Sequence, residues 1–209
     1  MIMNNWKLLA ALGFFFSCSS TVTPGAEAWV DLENGPGARW GHVSVVDSRR
    51  NRLLVFGGMG PAGKLGDLWE YRFDDEAWKP LLTKNGPSPR MTAAGIADEA
   101  RHRMVLVGGE ATEASAEVWA LDFETDTWAL LGVGPTPRFD VAGTTDGSRA
   151  WFYAGFSAPF ATLDDLWEMD LATGTWAQLV SSGAKPAARS NGNRSGEVLR
   201  LRSLSAISW

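Results

Sequence analysis

The chain has one cysteine in 209 residues, Cys18, so it can hold no internal disulfide. Its two histidines, His42 and His102, lie at no metal-ligand spacing. An excess of positive charge is also missing. Nineteen Lys and Arg stand against 24 Asp and Glu, for a formal charge of −5, so nucleic acid is not an expected partner. The apolar run at residues 8–16 is too short to cross a bilayer. Present in quantity are 11 Trp and 23 Gly, which suit tight turns and flat aromatic packing in an all-β chain. A hydrophobic share of 45% and a charged share of 21% supply a globular core.

The first residues have the form of an export signal, with Lys7 ahead of the short apolar run. "FFSC" then resembles a bacterial lipobox, in which the cysteine becomes acylated, although Phe15 stands where such boxes have an aliphatic residue. Ordinary cleavage after "AEA" at residues 26–28 is the alternative. The preferred reading assigns residues 1–18 to the signal, Cys18 to lipidation and residues 19–27 to a tether. The mature protein is then an exported lipoprotein of the bacterial cell envelope, touching the membrane only through its anchor.

A longer pattern runs through the rest. "DLWEYRFDDEAW", "EVWALDFETDTW" and "DLWEMDLATGTW" hold the Trp pairs 69/78, 119/128 and 167/176, nine residues apart each time. Arg39, Arg90, Arg138 and Arg189 keep the same beat, at intervals of 51, 48 and 51. Three of them close the phrases "GPSPR", "GPTPR" and "KPAAR". A period near 50 residues marks a repeat architecture.

Each period reads as four strands. A strand of small residues ("HVSVV", "TAAGIA", "VAGTT") is followed by an apolar run closed by Gly57-Gly58, Gly108-Gly109 or Gly155. Such short runs bounded by glycine are buried strands. In the third strand Trp69, Tyr71 and Phe73 alternate with Leu68, Glu70 and Arg72, which predicts an apolar face inward and a more polar face outward. A short polar turn leads to the fourth strand, so nine residues is one strand plus a hairpin and the two Trp lie on neighbouring strands. A four-stranded sheet cannot bury both faces alone. Copies stacked radially form a β-propeller, with the small residues innermost, where the sheets converge.

The period, the double glycine, the paired aromatics and "PxPR" together resemble the kelch repeat. The departures are Ala154-Gly155 in place of the double glycine and Gly-His only at Gly41-His42. The resemblance implies a kelch-type propeller segment over residues 28–189, with blades at 39–82, 90–131 and 138–180. An orphan strand "AWVDL" precedes them at 28–32, and the tail 190–209 is expected to be irregular. Three blades predict an open arc, and three explanations of it stand, in order of preference. They are a shortened copy of a six- or seven-bladed ring, an assembly of chains that closes one, and a capped three-bladed monomer. Open blade edges predict self-association.

No catalytic constellation is evident, and no cofactor is expected. His42 reads as the repeat's structural histidine, and His102, within "EARHRM", as solvated. The resemblance implies equivalent places for Arg39, Arg90, Arg138 and Arg189 on one rim, where guanidinium groups could grip an anionic ligand. The alternative, favoured by acidic residues in step at Asp67, Glu117 and Asp165, pairs each Arg within its blade. The loops between second and third strands are the other ligand candidates. The function implied is binding of a protein or glycan. A kelch-fold enzyme acting on a sugar, such as a sialic-acid isomerase, and a degenerate fragment without a function of its own are the rivals.

Overall fold

The computed structural model describes residues 34–190, apart from 160, 181 and 185. Cys18, the tether, "AWVDL" and the tail beyond Ser190 lie outside the described residues.

The described chain is all β, in three four-stranded antiparallel sheets. The first holds β1 (Val43–Asp47), β2 (Arg52–Gly60), β3 (Gly63–Arg72) and β4 (Ala77–Leu81) in chain order. The second repeats it with β5 (Ala94–Asp98), β6 (Arg103–Val107), β7 (Glu117–Asp122) and β8 (Thr127–Val133). The third is built from β9 (Ala142–Thr145), β10 (Arg149–Tyr153), β13 (Leu166–Asp170) and β14 (Trp176–Leu179), with the ribbon β11 (Phe156–Ser157) and β12 (Ala161–Thr162) between β10 and β13. The hairpin register puts Trp78 opposite Tyr71 and Trp128 opposite Leu121, so each Trp pair does sit on neighbouring strands.

The sheets stack in chain order. One core joins Leu54, Phe56 and Leu68 of the first blade to Met104, Leu106, Leu121 and Phe123 of the second. Phe56 and Trp128 meet across this seam with ring centroids 5.1 Å apart. The other joins Ile96, Val105 and Val118 to Ala150, Phe152, Met169 and Leu171. The strands β1, β5 and β9 are neighbours at the inner side. Small residues are obligatory there, since a Cβ on Gly95 would come within 2.1 Å of Val43 Cγ1.

The expected division of the third strand into inner apolar and outer polar faces needs correction. Leu68 and Glu70, assigned outward, are 1% and 6% exposed, while Trp69 is only half-buried. The second blade covers this face of the first: Leu68 packs into the core the two blades share, and Glu70 pairs with the buried Arg52. The middle sheet is covered on both faces. The Trp119–Leu121–Phe123 side packs on the preceding blade and the Val118 side on the following one.

Candidate functional site

Each blade-opening arginine makes the same contacts. Arg39 donates to both Asp67 oxygens at 2.7 and 2.9 Å and to the Gly57 carbonyl at 3.0 Å. Arg90 donates to the Gly108 carbonyl at 3.0 Å and to Glu117. Arg138 reaches Asp165 twice at 2.8 Å and the Ala154 carbonyl at 3.2 Å. The indoles of Trp69, Trp119 and Trp167 donate to the same carboxylates, at 2.7, 3.0 and 2.6 Å. Burial alone would raise the Asp67 and Asp165 carboxyls, but hydrogen bonds from Arg and Trp outweigh it and hold both below the ordinary range. For Glu117 the Trp119 indole is the largest influence, and the direction is again downward.

The side chains of Arg39, Arg90 and Arg138 are 6%, 1% and 3% exposed. They brace their own blades and present no face to a ligand, so these three do not form an anion-gripping rim. Arg189 shares the backbone pattern: its N–H donates to Leu163, and its carbonyl accepts from Gly155 at 3.0 Å, as Arg90 does with Leu65 and Gly58.

The glycines belong to this seam. Gly57 and Gly108 adopt left-handed φ values of 65° and 69°, and a Cβ on them would stand 2.6 and 2.4 Å from the Arg90 and Arg138 carbonyl oxygens. Ala154 holds the corresponding place at φ 61°.

A second network joins the first two blades. Arg52, fully buried, donates to Asp47, Glu70 and Asp126 at 2.9, 3.0 and 2.8 Å and to the Phe123 carbonyl at 2.8 Å. The Asp47 carboxylate also lies 2.9 Å from His102 Nε2. His102 is 6% exposed and rests edge-on against Phe123, which corrects the expectation that it is solvated. Its charged neighbours in sequence hide a left-handed turn, φ 49°, that aims the ring at the preceding blade.

Sequence reasoning also missed the residues that follow the arginines. Trp40, Met91 and Phe139 bridge to Met59, Glu110 and Phe156. One place further on, Thr92 N–H donates to the Gly41 carbonyl at 2.6 Å and Asp140 N–H to the Thr92 carbonyl at 2.9 Å. Gly41, Thr92 and Asp140 thus form a chain across the blades, all in the left-handed region. The recurrence of a large apolar residue after each of the first three arginines was the available signal. His42 has its pKa lowered by burial and then by the charge of Arg39. Among the described residues no group of His, Cys, Asp or Glu could hold a metal ion, and no helix is long and apolar enough to cross a membrane.

Three stacked four-stranded sheets, each opened by a braced arginine and closed by a tryptophan hairpin, are blades of a kelch-type β-propeller. The chain belongs to the KLHDC2/KLHL20/DRC7 kelch-repeats domain family, which it matches over residues 23–195. It is 36% identical over 98 residues to human Multiple epidermal growth factor-like domains protein 8, covering 43% of this chain and 3% of that protein. It is 30% identical over 111 residues to the Dynein alpha chain, flagellar outer arm, of Chlamydomonas reinhardtii, covering 51% of this chain and 2% of that one. Dynein regulatory complex subunit 7 of the same organism is 37% identical over 78 residues, 36% of this chain and 7% of that protein. The chain therefore spans a small fraction of these relatives' length. Among solved structures it is similar to that titled "Structure of YjhT", with a TM-score of 0.64 at 19% identity, covering 77% of this chain and 58% of that one.

Proposed function

We propose that this chain is a binding module, exported and held at the cell envelope by a lipid on Cys18, that presents its propeller rim to a protein or glycan partner. Membership of the kelch-repeats domain family carries the reading. The committed arginines add to it, because they leave the rim's apolar and acidic residues, rather than a guanidinium ring, as the surface on offer. Binding by loops on a rigid scaffold is the usual division of labour.

Two measurements test the two halves. Peptide and glycan arrays probed in parallel with the full chain should give saturable binding on one of them, and silence on both would reject the module. Fractionation of cells making the chain should find it with the membranes, and Cys18→Ala should move it to the soluble exported fraction. An unchanged distribution would reject the anchor and leave the binding reading standing.

A further inference from the structure

Each seam between blades joins two unlike faces, and the stack of three presents one of each kind at its two ends. Strand pairing fixes the correspondence. Leu54 lies opposite Val45, Val105 opposite Ile96 and Trp151 opposite Thr144. Phe56, Val107 and Tyr153 likewise lie opposite Val43, Ala94 and Ala142. In the first two blades these residues fill the seam toward the following blade. In the third, Trp151 and Tyr153 occupy the same face and are only half-buried.

The first blade has the complementary face. Phe73 and Trp78 stand where the second blade has Phe123 and Trp128, yet they are half-buried where those are 0% and 6% exposed. Val46, paired with Leu53, is 46% exposed. Its counterpart Ala97, paired with Met104, packs on the core shared with the preceding blade.

The polar fastening is unmatched in the same way. Arg52 holds Glu70 of its own blade and crosses the seam to Asp126 at 2.8 Å. Arg149 keeps the contact within its blade, to Glu168 at 3.2 Å, but its side chain is 56% exposed and among the described residues no following blade meets it. The counterpart of Asp126 in the first blade is Glu76, which is exposed. It stands three residues after Phe73, as Asp126 does after Phe123, and both adopt φ 51°. Asp75 beside it is already held by Arg72 and Lys79, so Glu76 is the carboxylate on offer.

We infer that the Trp151–Tyr153 face of the third blade docks on the Phe73–Trp78 face of the first blade of a second copy. Arg149 of one chain then pairs with Glu76 of the other, as Arg52 does with Asp126. A head-to-tail contact of this kind closes into a ring when the rotation allows and otherwise runs on as a filament. Propellers close with about four to eight blades, and six is the only multiple of three in that range, so two copies complete the ring. Each copy uses both faces, and the charge pair forms twice.

Analytical ultracentrifugation of the full chain between about 1 μM and 1 mM should resolve a monomer in equilibrium with a species of twice its mass and nothing larger. Arg149→Glu and Glu76→Arg alter exposed side chains and keep the fold, which circular dichroism checks. Each alone opposes like charges at both contacts and should weaken the dimer at least about tenfold. Mixed in equal amounts, the two variants should regain it, because a pair made of one of each opposes unlike charges at both contacts. Val46→Lys leaves the charge pair alone and should weaken the dimer as well. A chain that stays monomeric across the whole range, or one that grows past two copies, overturns the inference. So does any of the three variants dimerising like the wild type, or a mixture that associates no better than its parts.

Discussion

Arg52 of the first blade donates to the Phe123 carbonyl of the second at 2.8 Å, and Arg103 of the second donates to Leu171 of the third at 2.7 Å. Each arginine opens its blade's second strand and reaches the turn after the next blade's third strand. The seam is thus fastened by a repeated polar staple as well as by its apolar core. Arg149 holds the same place in the third blade, but its side chain is 56% exposed and turns to Glu168 at 3.2 Å.

The staple's energetics follow from burial. Arg52→Ala leaves Asp47 and Glu70 without their buried cation and should cost about 3–5 kcal/mol. Arg149→Ala removes an exposed pair and should cost under about 1 kcal/mol. Denaturant titration of both variants gives the comparison, and equal losses would mean that the staple does not hold the seam.

Acid should loosen the same seam. Burial alone would raise the Asp47 carboxyl, yet hydrogen bonds from His102, Arg52 and the Arg50 N–H hold it low, and Asp67 and Asp165 are held low by Arg and Trp. A carboxylate with a depressed folded pKa stabilises fully above its unfolded value, near about 4, and loses that contribution as pH falls through the folded one. Stability should therefore drop steeply below about pH 4. The depressed His42 predicts an earlier, shallower fall beginning near about pH 6.5. Asp47→Asn should be less stable at neutral pH but flatter in acid. A parallel pH profile for wild type and variant would place the acid lability elsewhere.

Much of this fold was legible because the repeat compares the chain with itself. Trp69/Trp78 and Trp119/Trp128 announce the hairpins, and Arg39 in step with Asp67 announces the brace. What was not legible depends on a neighbour. Glu70 looks like a solvent-facing residue of an amphipathic strand until a second blade covers it and Arg52 neutralises it. His102 sits among charges in sequence, and only its turn reveals where the ring points. The bridging residues after the arginines, Trp40, Met91 and Phe139, share size rather than identity, so the eye passes over them.

Ala154 should be a local weak point. It holds at φ 61° the place that glycine holds in the other two blades, and a left-handed L-residue costs about 1–2 kcal/mol. Part of that is offset by the greater freedom of glycine in the unfolded chain. Ala154→Gly should therefore stabilise by about 0.5–1 kcal/mol. Gly57→Ala should cost at least about 2 kcal/mol, through both its φ and the approach to the Arg90 carbonyl. Thermal unfolding midpoints moving in the same direction would contradict the equivalence of the two positions.

The linker glycines make a separate case, since space rather than backbone conformation is at stake. Gly86, ahead of Arg90, runs over the face of Trp128, and a Cβ there would come within 2.9 Å of the indole Cδ1. Gly35 meets Trp78 in the same way, also at 2.9 Å. Trp128 is buried in the seam against Phe56 and cannot retreat without disturbing that core. Gly86→Ala should thus cost about 1–3 kcal/mol, the usual penalty of overpacking, despite the entropic advantage of alanine. Gly37 lies in the same kind of linker with nothing within 4 Å of its would-be Cβ. Gly37→Ala should be neutral or stabilise by up to about 1 kcal/mol. Denaturation of the two variants side by side separates the explanations. If both alanines stabilise, the linker is not packed on Trp128, and the seam's outer end is looser than the Phe56–Trp128 contact implies.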